Sequence, residues 1–134
     1  MKLFCAYAFT GEDISVVTER MRLVVDTLTA QGHDVYCNRF DTSIEALQKR
    51  EDYKGIFRVA FTHLAESEAV VAIVSSANRS VGQIMEIGAA LNLQKPLFVF
   101  EHSSAADSSY IPRLANRHYS WGTLAELASQ LQKI

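Results

Sequence analysis

Six consecutive apolar residues, Ala69-Val70-Val71-Ala72-Ile73-Val74, interrupt an otherwise mixed sequence with no polar residue among them. A strand with one face in water alternates apolar and polar side chains, whereas a strand covered on both faces reads as a continuous apolar run. The run is too short for a helix and is bounded by Glu68 and Ser75, so it reads as a buried strand. It predicts a central parallel strand with helices packed above and below it.

The segments around it supply those partners. Leu3 to Ala8 is a second apolar run, ended by the turn Thr10-Gly11. Val17, Met21, Val24, Val25 and Leu28 follow at helical spacing, and Gly32 closes that helix. His33 to Cys37 reads as a strand. From Ser43 to Ala65 the apolar positions again follow a helical period, as one long helix or two short ones with the break near Gly55. After the central run, Ser75 to Val81 is a polar loop and Gly82 to Leu93 a helix rich in small residues. Pro96 opens the strand Leu97 to Phe100, and a long polar connection runs from Glu101 to Asn116. Arg117 to Ser120 is expected as a fifth strand. Thr123, with Glu126 three residues on, caps a closing helix. Strands alternating with helices in this way predict an α/β fold: a flavodoxin-like, three-layer, doubly wound sheet of about five parallel strands. In such a sheet ligands bind where the strand order reverses, between the loops after the first and third strands. Those loops are Tyr7 to Asp13 and Ser75 to Glu86.

The chain has 134 residues, enough for one domain over 1–134 and too few for a second core. Its net charge of −2 is spread along the whole length, which offers no footprint for duplex nucleic acid or an anionic membrane. Small molecules are the expected partners. No apolar run approaches the ~20 residues that cross a bilayer, and Met1 to Ala8 lacks the charged start and cleavage site of a signal peptide. Cys5 and Cys37, each in an expected strand, read as buried free thiols in a reducing cytoplasm.

The most informative stretch is Ser80-Val81-Gly82-Gln83-Ile84-Met85-Glu86-Ile87-Gly88-Ala89-Ala90, which joins the buried strand to a helix with a carboxylate in its second turn. A lone Glu86 between Met85 and Ile87 is either paired in the core or points into a cavity. Gly88 and Ala89 read as packing residues that let the helix approach the sheet. Ser80 and Gly82 stand at the helix start, where free N–H groups form an anion seat; Ser80 alternatively serves as a plain N-cap. Arg79 beside them is a candidate phosphate partner or an exposed loop residue. Tyr7, Phe9 and Gly11 are expected to form the opposite wall, where an aromatic ring can stack on a base; Phe9 alternatively belongs to the core. His33, His63, His102 and His118 fall on separate elements without metal-ligand spacing, and neither a GxGxxG turn nor a P-loop lysine is present. No metal or cofactor is therefore expected.

Together, Phe4-Cys5-Ala6 with Gly11-Glu12-Asp13, Glu68-Ala69-Val70-Val71-Ala72, and Ser80-Val81-Gly82 with Glu86-Ile87-Gly88-Ala89-Ala90 resemble the nucleoside 2-deoxyribosyltransferase superfamily. The resemblance is nearest to its small 2′-deoxynucleoside 5′-monophosphate N-glycosidase branch. It implies that Glu86 is the nucleophile attacking the anomeric carbon, and that a glycosyl-enzyme intermediate then passes to water or another base. It also implies that Ser80, with the backbone near Gly82, holds a 5′-phosphate. Ser109, before Ile111, matches a serine that reaches the phosphate from a neighbouring subunit, so a homodimer is expected. The hydrolases carry a tyrosine in the first strand where this chain has Leu3, with Tyr7 the nearby substitute, and Phe9-Thr10-Gly11 replaces an arginine-bearing loop. Glu68 stands where they have an aspartate near the leaving base, so Glu68 or Asp13 is the expected general acid. The competing expectation is a nucleotide-binding module of the same fold without catalysis.

Overall fold

The computed structural model describes all 134 residues. Five parallel strands, β1 (Lys2–Tyr7), β2 (Asp34–Tyr36), β3 (Ala69–Val74), β4 (Leu97–His102) and β5 (Arg117–Trp121), form one sheet in the order β2-β1-β3-β4-β5. That order reverses direction between β1 and β3, as the alternation of elements predicts. Five helices lie in the connections between strands, α1 (Ile14–Ala30), α2 (Thr42–Lys49), α3 (Tyr53–Glu66), α4 (Val81–Asn92) and α5 (Ile111–Leu114), and α6 (Leu124–Leu131) follows β5. None is long and apolar enough to cross a membrane.

Each central strand divides its side chains between two cores, because successive residues point to opposite faces of a sheet. Leu3, Cys5, Val71 and Ile73 pack on Val17, Met21, Val24 and Leu28 of α1 and on Leu127 and Leu131 of α6. Phe4, Ala6, Val70, Ala72 and Val74 pack on Ala60 and Leu64 of α3 and on Ile87 and Ala90 of α4. All six residues of β3 are buried, which is why its sequence does not alternate. Cys5 and Cys37 are buried free thiols, and burial pushes both well above the ordinary thiol range.

The helical stretch from Ser43 to Ala65 is two helices, but it breaks at Arg50–Asp52 rather than at Gly55. Glu51 takes a left-handed backbone there, at φ 57°, and Asp52 caps α3 by accepting from the Gly55 N–H at 2.9 Å. Gly55 thus sits inside the first turn of α3. Gly88 is also placed differently from expectation: it is exposed, and a Cβ added to it meets nothing within 4 Å. Ile87 and Ala90 make the sheet contact, while Gly88 lies with Ile84 and Leu91 at the wall of a cavity.

Candidate functional site

At the point where the strand order reverses, Gln83 ties both flanking strands to the first turn of α4. Its Nε2 donates to the carbonyl of Ile73 at 2.9 Å and to that of Ala6 at 3.2 Å. The loops after β1 and β3 also meet: Gly11 is at φ 76°, and a Cβ there would come within 2.7 Å of Asn78 Nδ2. Gly11 therefore serves the approach of the two loops and lines neither cavity described below.

Two cavities open on either side of the α4 amino terminus. One, of about 270 Å³, is lined by Tyr7, Phe9, Asn38, Arg39, Tyr53, Phe57, Gly82, Gln83 and Glu86 among others. Glu86 is only 6% exposed and receives no hydrogen bond from the protein. Burial alone pushes its carboxyl up to about 8, since the charged form loses water and gains no donor. Tyr7 stays protonated well past the ordinary tyrosine range because of its burial and, to a lesser degree, the neighbouring Cys37 and Glu86. Phe9 is half exposed at the cavity rim, with its ring 6.3 Å from that of Tyr7. Opposite them, Arg39 donates from Nε to Thr18 Oγ1 at 2.9 Å.

The second cavity, of about 340 Å³, brings Arg79 and Ser80 together with Ser108, Ser109 and Tyr110, and shares Gln83 with the first. Ser80 caps α4, its Oγ accepting from the Gln83 N–H at 3.3 Å, and so stands at the amino terminus of that helix. Arg79 is exposed. Ser109, expected to reach a partner's site, lines this cavity within its own chain, where its Oγ accepts from the Ile111 N–H at 3.3 Å.

The residues singled out in the sequence thus divide: Glu86, Tyr7, Phe9 and Gly82 meet in one cavity, and Arg79, Ser80 and Ser109 in the other. Besides Gly11, two candidates fall outside both. Glu68 precedes β3 and lies at the amino edge of the sheet, where its Oε2 accepts from the Lys2 N–H at 2.7 Å. Six strand residues at about 3.3 Å each separate that edge from the carboxyl edge, so Glu68 is remote from the cavity that holds Glu86. Asp13 is exposed and caps α1 by accepting from Ser15 N at 2.7 Å and Ser15 Oγ at 2.6 Å. Hydrogen bonds from Ser15, side chain first and backbone second, hold its carboxyl below the ordinary range, which suits a cap and not an acid. Leu3 is wholly buried in the core, and Tyr7 stands in the cavity in its place.

Sequence reasoning missed Asn38 and Arg39. They occupy a single 3₁₀ turn, Asn38–Phe40, that has no hydrophobic period to announce it. It missed Gln83 as well, although Gln83 lies within Ser80 to Ala90; a polar residue three places before Glu86, on the same helix face, is the available signal.

By fold, the chain is similar to the CMP N-glycosidase BcmB of Clostridium botulinum, with a TM-score of 0.75 and 15% identity over 99% of this chain and 98% of that one. It is also similar to a 2-deoxyribosyltransferase from the psychrotolerant bacterium Bacillus psychrosaccharolyticus, with a TM-score of 0.57 and 18% identity over 98% of this chain and 96% of the other. No curated protein matches it in sequence. Residues 5–116 match the family model described as nucleoside 2-deoxyribosyltransferase, and the chain belongs to that family of enzymes.

Proposed function

We propose that the protein cleaves the N-glycosidic bond of a nucleoside 5′-monophosphate, with Glu86 as nucleophile. The observation that carries this reading is the state of Glu86: a carboxyl withdrawn from water, without a hydrogen-bond partner, at the wall of a cavity rimmed by aromatic side chains. A carboxylate kept in the core for structure would be paired.

Breaking the bond between C1′ and the base nitrogen develops positive charge on the sugar. An ionised Glu86 on the face opposite the base stabilises that charge and then bonds to C1′, as in retaining glycosidases. The bonding electrons leave with the base, which takes up a proton. Water, or a second base, then attacks C1′ and returns the carboxylate. Phe9, Tyr53 and Phe57 offer stacking surface for the base. Asp41 and Glu45 are the other carboxyl groups lining the cavity. Asp41 is committed to Ser43 and Tyr36, which leaves Glu45 as the acid candidate in place of Glu68.

Ser80 and the α4 amino terminus supply the phosphate seat, with no carboxylate beside it. A homodimer fits the apolar surface of α4, where Val81 is 74%, Ile84 45% and Leu91 41% exposed at helical spacing, Ile84 and Leu91 at the wall of the second cavity. The test is incubation with a panel of nucleosides and their 5′-monophosphates, with chromatographic detection of free base. Release from a monophosphate supports the reading. Saturable binding without release from any member would leave a nucleotide-binding module instead.

A further inference from the structure

We infer that Gln83 reads the 2′-hydroxyl of the sugar, so that the site selects a ribonucleotide over its 2′-deoxy counterpart. The inference rests on the N-glycosidase reading and assigns the sugar that the reading leaves open.

A glutamine amide has two N–H donors and one carbonyl acceptor. Both donors of Gln83 are taken, one by the Ala6 carbonyl and one by the Ile73 carbonyl. Two backbone carbonyls can be met only by the NH₂ side, so the amide has one possible orientation. Its Oε1 accepts nothing from the protein and is not among the buried atoms sealed from solvent. Gln83 itself is 4% exposed and lines both cavities, the one that holds Glu86 included. The only group it can offer a ligand is therefore a fixed acceptor that lacks a donor.

Its position on α4 indicates which donor. Gln83 lies three residues before Glu86, and residues at that spacing are neighbours on one helix face, about 5–6 Å apart at Cβ. Glu86 approaches C1′ from the face opposite the base. The 2′-hydroxyl sits on the adjoining carbon and on that same face, beside the attacking carboxylate. The base lies on the far side of the sugar, and the 5′-phosphate is directed toward Ser80. A site built to bond a substrate hydroxyl discriminates against the analogue without it, because the protein acceptor is left unpaired. The preference is diagnostic here, since a 2′-deoxy sugar forms its oxocarbenium ion more easily and a site with no such contact would favour it.

The test uses cytidine, uridine, adenosine and guanosine 5′-monophosphates, each as the ribose, 2′-deoxyribose and 3′-deoxyribose form, with wild type and Gln83→Met. Wild type is expected to bind the ribonucleotide at least about tenfold more tightly than the 2′-deoxy form, measured by competitive inhibition, with the 3′-deoxy form close to ribose. In Gln83→Met the ratio of kcat/KM between ribose and 2′-deoxyribose should fall by a similar factor. If the variant does not fold, the wild-type binding series decides alone. Equal binding of ribose and 2′-deoxyribose forms, or an equal loss on both in the variant, overturns the role of Gln83 and leaves the N-glycosidase standing. Absence of base release from every member overturns both.

Discussion

The Glu12 carboxylate accepts from the Arg20 guanidinium at 2.8 Å and, through its other oxygen, from the Ser75 hydroxyl at 2.6 Å. The pair joins the loop after β1 to α1 and to the loop after β3, so it fixes the segment that carries Phe9 to the cavity rim. Arg20 is itself buried and lies 5.7 Å over the Trp121 ring. Burial would raise the Glu12 carboxyl, but the hydrogen bonds from Arg20 and Ser75, with the Arg20 charge, outweigh it and hold the group below the ordinary range. A depressed folded value contributes stability at neutral pH, and that stability is lost as pH falls through the folded value. Arg20→Met should therefore destabilise by roughly 2–4 kcal/mol at pH 7, the cost of leaving a partly buried charge unpaired. Its penalty should shrink toward acid pH. Urea denaturation at pH 7 and pH 3.5 checks both, and a penalty independent of pH would sink this account of Glu12.

Glu86 behaves in the opposite direction. Its carboxyl titrates at about 8 when folded, against 4.5 as the unperturbed value. The unfolded chain thus ionises first, and the folded state loses stability as pH rises across that interval. At 1.36 kcal/mol per unit, the deficit reaches on the order of 3 kcal/mol by pH 7. Glu86→Gln, which carries no charge to desolvate, should melt higher than wild type at pH 8 and nearly equal to it at pH 4, while releasing no base. Glu86→Ala should likewise abolish release with the fold retained by circular dichroism. A variant that unfolds at every pH would return Glu86 to a structural role.

The same titration bears on catalysis. The nucleophile must be ionised, and kcat/KM reports the free enzyme. Between pH 6 and about 8, kcat/KM should climb close to tenfold per pH unit and then level. A profile flat across that range would show that the group is already ionised or that another residue attacks.

Much of this arrangement is legible in the sequence, for physical reasons that differ by residue. The apolar run of β3 predicts the doubly covered sheet because burial on both faces removes alternation. Ser80 is legible as a cap because a serine three residues before a helical N–H has a geometric purpose. Glu68 shows a failure of consistency: a parallel sheet already places the residue before a strand at the amino edge, opposite the site. Gly88 is ambiguous because a small residue suits either a tight sheet contact or a cavity wall, and composition does not tell them apart. Asn38 and Arg39 were illegible because their place depends on a short turn after β2, set by tertiary packing.

The outer face of α4 yields a prediction about assembly. Val81, Ile84 and Leu91 expose apolar surface that a second copy would cover. Ile84→Asp should shift a dimer toward monomer in light scattering at micromolar concentration, because a carboxylate buried at the contact would lack a partner. Wild type running as a monomer at that concentration removes the homodimer.

The last prediction concerns the phosphate. Ser80, at the start of α4, lines a cavity that also holds Arg79 and Ser109 and no carboxylate, so a dianion seated there gains from the hydroxyl and from the helix dipole together. Wild type should accordingly prefer a nucleoside 5′-monophosphate to the free nucleoside. Ser80→Asp separates the phosphate from the cap, because aspartate caps a helix as well as serine does. The fold and the position of Glu86 should survive, whereas the new charge repels the phosphate. One charge-assisted hydrogen bond is worth about 1.5–3 kcal/mol, so kcat/KM for the monophosphate should fall by at least the tenfold that about 1.4 kcal/mol represents. The free nucleoside, which places nothing in the seat, should change much less. Equal losses on both substrates would mean that Ser80 acts only on α4, and equal turnover of both by wild type would make this a nucleoside-level enzyme.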